Sequence, residues 1–135
     1  MARKKAPNPP RCLILDSGAV IGWARGDARV RAMLTRALEL GVDVRIPTVV
    51  LAETLRGGPR DAPIHRVRAA VDVFPQTEAI ARLAGELLGR KRRSDTADAL
   101  VAAETIAARA DVLTSDPDDL TSLLSGHPEV AILPV

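Results

Sequence analysis

The stretch Leu13-Ile14-Leu15-Asp16-Ser17-Gly18-Ala19-Val20-Ile21-Gly22-Trp23 decides the fold. Three apolar residues end on an acid, and a run of small and apolar residues follows. That is a short buried strand passing into a helix through an N-cap. The alternation continues downstream. Val30 to Leu40 places Val30, Met33, Leu34, Ala37 and Leu38 on one helical face stopped by Gly41, and Val42 to Ile46 reads as the second strand. Pro47-Thr48 then sets a helix start with Thr48 as N-cap, and Gly57-Gly58-Pro59 ends that helix. His65 to Val71 reads as helix, Val71 to Phe74 as strand, Glu78 to Leu88 as a helix closed by Gly89, and Arg90 to Arg93 as a loop. A helix from Ser94 or Asp95 to about Ala110, a strand from Val112 to Thr114, a short helix from Pro117 to Leu124 and a strand from Val130 to Val135 complete the chain. Strands alternating with helices in this way predict an α/β fold with a mostly parallel sheet.

The chain has 135 residues, 47% of them hydrophobic, enough for one ordinary core without a disulfide or structural metal. One domain is expected over residues 12 to 135. Trp23 and Phe74 are the only aromatics, which argues against an aromatic-rich β-sandwich and offers a nucleic acid few stacking platforms. The single Cys12 begins an apolar strand and has no partner for an internal disulfide, so a buried thiol in a reducing cytoplasm is expected. No stretch approaches the ~20 apolar residues of a membrane span. The net charge of +2 hides an asymmetry. Residues 1 to 11 carry Arg3, Lys4, Lys5 and Arg11 and no acid, leaving 15 basic against 17 acidic residues in the rest. The first segment reads as a disordered, solubilising extension, and the folded part as slightly acidic. Its apolar continuation ends at Asp16, too soon for an export signal.

Four acids stand where strands end or helices begin: Asp16 after Leu15, Glu53 within Thr48-Val49-Val50-Leu51-Ala52-Glu53, Asp98 within Asp95-Thr96-Ala97-Asp98-Ala99-Leu100, and Asp116 after Thr114-Ser115. Strand C-terminal ends line the ligand crevice of an open parallel sheet, so carboxylates distant in sequence can converge there. An all-oxygen cluster suits Mg²⁺ or Mn²⁺. Such an ion in a cleft suggests phosphodiester hydrolysis. Each acid also has a plainer reading: Asp16 as a helix cap, Glu53 as an exposed-face residue, and Asp95 or Ser94 as the cap that leaves Asp98 free to ligate. In the last group Asp116 is nearest the strand end, with Asp119 in reserve and Asp118 favoured in any case by the helix dipole. Ser17, Thr114 and Ser115 are candidates to hydrogen-bond the carboxylates.

In this order and spacing, Leu15-Asp16-Ser17, Leu51-Ala52-Glu53, Asp98-Ala99-Leu100-Val101 and Leu113-Thr114-Ser115-Asp116-Pro117-Asp118-Asp119-Leu120 resemble the PIN-domain ribonucleases. The nearest branch in character is the VapC-type toxins of bacterial toxin-antitoxin pairs. The resemblance covers Cys12 to Val135. It implies a three-layer α/β/α sandwich around a mostly parallel sheet, Asp16, Glu53, Asp98 and Asp116 as the catalytic set, and Mg²⁺ or Mn²⁺ held by Asp16, Asp98 and Asp116. It also implies RNA as substrate, a cognate antitoxin, a homodimer and a cytoplasmic location. Hydrolysis through activated water would leave a 5′-phosphate and a 3′-hydroxyl. His65 and His127 have no evident place near the acids, so a 2′-hydroxyl mechanism led by a histidine base is not suggested.

Arg90, Lys91, Arg92 and Arg93 directly precede the helix that carries Asp98, where they could hold RNA phosphates. Three other classes are weaker. A response-regulator receiver needs a lysine at its last core strand, and no lysine follows Lys91. A dinucleotide binder needs a Gly-x-Gly-x-x-Gly turn after strand one, which is absent. A catalytically silent RNA-binding or partner-binding protein of the same fold is the strongest rival, because sequence alone does not bring the carboxylates together.

Overall fold

The computed structural model describes residues 12–91 and 95–135. The basic segment before Cys12, and Arg92, Arg93 and Ser94, lie outside the described residues. The elements follow in the order β1 (Cys12–Leu15), α1 (Ser17–Ala24), α2 (Ala28–Glu39), β2 (Asp43–Pro47), α3 (Thr48–Thr54), a single 3₁₀ turn (Pro59–Asp61), α4 (Ala62–Ala70), β3 (Asp72–Phe74), α5 (Glu78–Arg90), α6 (Thr96–Ala108), β4 (Asp111–Thr114), α7 (Pro117–Leu123) and β5 (Ile132–Pro134).

The five strands pair in the order β3-β2-β1-β4-β5, and every pairing is parallel. Parallel neighbours require crossover connections, and right-handed crossovers send helices to opposite faces as the chain first moves outward from β1 and then returns to its other side. The packing agrees: α1 meets α2, α3 and α4, while α6 meets α5 and α7, and α3 also touches α6. The result is the expected three-layer sandwich. Its central strand is apolar throughout because both faces are covered, and Cys12, Leu13, Ile14 and Leu15 are all buried. Ile14, Leu15, Ile46, Val112 and Leu113 from the sheet interlock with Val20, Leu34, Val50, Val101 and Leu120 from the helices, all essentially without solvent contact. Each such side chain contributes about 1.5–3 kcal/mol through removal from water. Burial also pushes the Cys12 thiol up to about 11, which makes it an inert core group.

Three local expectations are corrected. Thr48 is the first residue of α3 and makes no cap; Pro47 stands at the N-cap with no side-chain bond, and the Thr48 hydroxyl accepts the Gln76 N–H at 3.3 Å instead. Tertiary pairing with the segment after β3 has claimed the group that a local rule assigned to the helix end. Gly89 does not stop α5, which continues to Arg90 because the glycine lies in ordinary helical conformation on an exposed face. The helix before Gly57-Gly58 ends early, at Thr54. Both glycines have positive φ, 84° and 91°, and the loop is tied by Asp61, whose carboxylate accepts the Arg56 N–H at 3.1 Å and the Gly57 N–H at 2.7 Å.

The order of strands determines where a site can form. The chain leaves β1 toward β2 on one side and enters β4 on the other, so the crevice between the ends of β1 and β4 is the switch point of the sheet.

Candidate active site

Asp16 occupies that crevice. Its backbone N–H extends the β1–β4 ladder by donating to the Leu113 carbonyl at 3.0 Å. Its side chain is 6% exposed and has two donors: the Ser17 N–H reaches Oδ1 at 2.8 Å and the Thr114 hydroxyl reaches Oδ2 at 2.8 Å. Asp16 therefore serves as the N-cap of α1 and also presents a rigid carboxylate at the strand end. A buried carboxylate without such donors would be costly.

Thr114, wholly buried at the end of β4, links two parts of the site. While donating to Asp16 it accepts the Asp116 N–H at 2.9 Å. This uses the hydroxyl as a relay that sets the start of α7 against the end of β1. Ser115 acts by packing: a Cβ on Gly18 would lie 1.9 Å from the Ser115 Oγ and 2.6 Å from its Cβ. Only glycine at position 18 lets the first turn of α1 approach the turn after β4 so closely. Ser17 contributes its backbone N–H to Asp16. Neither the Ser17 nor the Ser115 hydroxyl bonds a carboxylate among the described residues.

Two more acids reach the same crevice from helices. Glu53 is half-buried near the end of α3, and Asp98 is half-buried in the first turn of α6. Asp95 caps α6, with Oδ1 accepting the Asp98 N–H at 2.7 Å. Burial pushes the Asp98 carboxyl up to about 7, with further upward pressure from the charges of Asp95, Asp16, Asp119 and Glu53. Burial also raises Glu53, again with help from Asp16 and Asp95, while Arg56 pulls it the other way. Carboxylates from three helices and a strand end whose charges act on Asp98 share one electrostatic site.

The structure thus brings Asp16, Glu53 and Asp98 together, and from the last group the acid that acts on Asp98 is Asp119. Asp116 is exposed at the N-cap position of α7, makes no side-chain cap bond, and is not among the charges acting on Asp98 or Glu53. Arg90 is the last residue of α5 and Lys91 follows it, close in sequence to Asp95; Arg92 and Arg93 fall outside the described residues. His127 pairs with Glu129 at 3.2 Å and His65 is exposed on α4. Sequence reasoning missed Gly18 and the charge of Asp95. The first could have been suspected from a glycine directly after an acid-capped strand end, and the second from the three-residue spacing that puts both acids in one helical turn.

The donor set is entirely carboxylate oxygen, and among the described residues no cation acts to lower Asp98. Such a surplus of negative charge fits a hard divalent ion. As arranged, among the described residues no three of these acids stand close enough to hold one ion together; the site suits a cation by the chemistry of its donors.

Residues 13–122 match the PIN domain family. Over 103 residues the chain is 38% identical to Ribonuclease VapC10 of Mycobacterium tuberculosis, an alignment spanning 74% of this chain and 75% of that protein. Among solved structures, VapBC2 from Rickettsia felis, bound to a DNA fragment from its promoter, superposes with a TM-score of 0.75 at 15% identity, covering 92% of this chain and 98% of that one. A toxin-antitoxin complex from Klebsiella pneumoniae gives a TM-score of 0.67 at 20% identity, covering 88% and 95%. The structural likenesses establish the fold. The chain belongs to the PIN domain family.

Proposed function

We propose that this PIN-domain protein is a metal-dependent endoribonuclease, the toxin of a type II toxin-antitoxin pair. The observation that carries the reading is the carboxylate cluster at the β1/β4 switch point, in which Asp98 is raised to about 7 by burial and by its acidic neighbours. The family and the 38% identity to a named ribonuclease supply the reaction class. The acids that would hold Mg²⁺ or Mn²⁺ are Asp16, Asp98 and Asp116, with Glu53 completing the site and Asp119, whose charge acts on Asp98, in reserve; Asp116 and Asp119 are both exposed. A divalent ion there would supply activated water and neutralise charge on the phosphate oxygens.

The chain's own contributions are distinct. Asp16, held by Ser17 and Thr114, is the fixed reference point, since neither oxygen can turn without losing a bond of 2.8 Å. Glu53 and Asp98 are the adjustable partners; they are half-buried on separate helices. Near neutral pH the Asp98 carboxyl retains part of its proton and releases it when positive charge arrives. Exposed Arg90 and its neighbour Lys91 support capture of phosphates next to Asp95. A cognate antitoxin belongs to the same reading, supported by structural neighbours that are toxin-antitoxin complexes, and a homodimer is implied by the family resemblance alone. No helix among the described residues is long and apolar enough to cross a membrane, and a cytoplasmic site of action follows from the RNA substrate.

The spread of the carboxylates favours one rival, a catalytically silent RNA-binding or partner-binding protein. Cleavage of total RNA by the purified, antitoxin-free protein with Mn²⁺ or Mg²⁺ separates the two. Cleavage abolished both by EDTA and by Asp98→Asn is the expected result. A folded protein that leaves RNA intact in either metal would establish the silent reading.

A further inference from the structure

We propose that a groove running from the carboxylates over the C-terminal end of α1 to α2 and α4 is the track for one flank of a single-stranded RNA. The inference rests on the nuclease reading and adds the binding surface that reading lacks. Two hollows of about 580 and 360 Å³ adjoin along Ile21 and Arg25 of α1 and its cap. The first is lined by Gly18 and Ser115, next to Asp16 and the end of β4. The second is lined by Thr54, next to Glu53. A third hollow continues from the second through Ala24 and Pro63 and is lined by Trp23, Arg31 and Arg66. One continuous path therefore leads away from the acids.

Its charge is opposite to theirs. Arg25, Arg31, Arg60 and Arg66 line the path, all are exposed, and none makes an ion pair among the described residues. Asp27 is the single acid in the lining, and its Oδ1 is taken up by the Val30 N–H at 3.0 Å as the cap of α2. Arginine forks suit phosphate oxygens bidentately. Half-buried Trp23, the sole tryptophan, sits in the same lining and offers a face on which a base can stack. A strongly negative reaction centre repels a polyanion, so a phosphodiester can be delivered there only if neighbouring phosphates are held by cations a few nucleotides away. The four arginines meet that requirement from the C-cap of α1, from α2 and α4, and from the turn before α4.

The test is binding of a short fluorescein-labelled uridine oligonucleotide to the Asp98→Asn protein across a salt series. The parent is compared with two double variants, Arg25→Gln with Arg60→Gln, and Arg31→Gln with Arg66→Gln. All four residues are exposed, so the variants should retain the fold, which thermal unfolding would verify. Each pair should weaken binding and flatten the log-affinity against log-salt slope by about 1.4, or about 0.7 for each lost phosphate contact on a single strand. Quenching of Trp23 fluorescence by the oligonucleotide is expected in the parent. Slopes unchanged in both double variants, or no binding by the parent at low salt, would overturn the proposal. Unchanged slopes with loss of binding to a polyglutamate peptide would assign the groove to an acidic protein partner instead. The nuclease reading is judged separately by cleavage with the wild-type acids. Arginine-dependent binding without cleavage would keep the groove and remove the enzyme, and cleavage with unchanged slopes would do the reverse.

Discussion

The Thr114 hydroxyl donates to Asp16 Oδ2 at 2.8 Å, although the two residues stand 98 positions apart in the chain. The contact sits where β1 and β4 end side by side, and the same hydroxyl accepts the Asp116 N–H. One side chain thereby sets the orientation of the central carboxylate and the entry into α7. Because Thr114 is fully buried and Asp16 nearly so, neither can exchange the other for water.

Replacing this hydroxyl by a methyl group of similar size should therefore be costly. Thr114→Val is expected to destabilise the fold by about 1–3 kcal/mol, the cost of leaving buried polar groups unpaired. It should also weaken Mn²⁺ binding about 10- to 100-fold, as loss of a partner to a metal-binding carboxylate does. Urea unfolding and metal titration would check both. Thr114→Ser, which keeps the donor, should retain most of the affinity; equal losses in the two variants would mean that the hydroxyl does not matter.

Asp98 should make the metal-free protein sensitive to pH. Its folded pKa, about 7, lies above the ordinary value of 3.8, so the folded state binds its proton more tightly than the unfolded chain. The stabilisation is fully present below the ordinary value and is lost as pH rises through about 7. Thermal midpoints in EDTA should accordingly fall over that window more steeply for the wild type than for Asp98→Asn. Parallel curves for the two proteins would contradict the shift.

The acids after β4 should be distinguishable by their effect on Asp98. Asp119→Asn removes one of the charges that raise it and should lower its pKa, whereas Asp116→Asn should leave it in place. Carboxyl chemical shifts followed by NMR across pH would show which residue matters. A shift caused by Asp116→Asn alone would return Asp116 to the centre of the site.

Gly18 should tolerate no side chain while Ser115 is present. Gly18→Ala gains up to about 1 kcal/mol of helix propensity, but its methyl would meet Ser115 Cβ at 2.6 Å, and overpacking of this kind costs about 1–3 kcal/mol. Net destabilisation and reduced cleavage are expected. Adding Ser115→Gly should recover stability in a double-mutant cycle; strictly additive losses would place the conflict elsewhere.

Much of this protein is legible in the chain itself. The apolar run Leu13 to Leu15, the helical spacing from Val30 to Leu38 and the cap at Asp95 are local patterns, set by backbone sterics and by which faces must leave water. Local patterns also marked Asp16, Glu53 and Asp98 as acids at element ends. Tertiary structure alone decided how these residues act on one another. Thr48 surrendered its cap to Gln76 because long-range pairing outweighs a terminal preference of about 1 kcal/mol, while α5 runs one residue past Gly89, which is exposed and in ordinary helical conformation. That Asp119 is the acid of this group whose charge acts on Asp98 could not be read from three acids crowded at the start of α7. Desolvation and Coulomb forces follow distance through space, and the distances that matter here join residues from four separate segments of the chain.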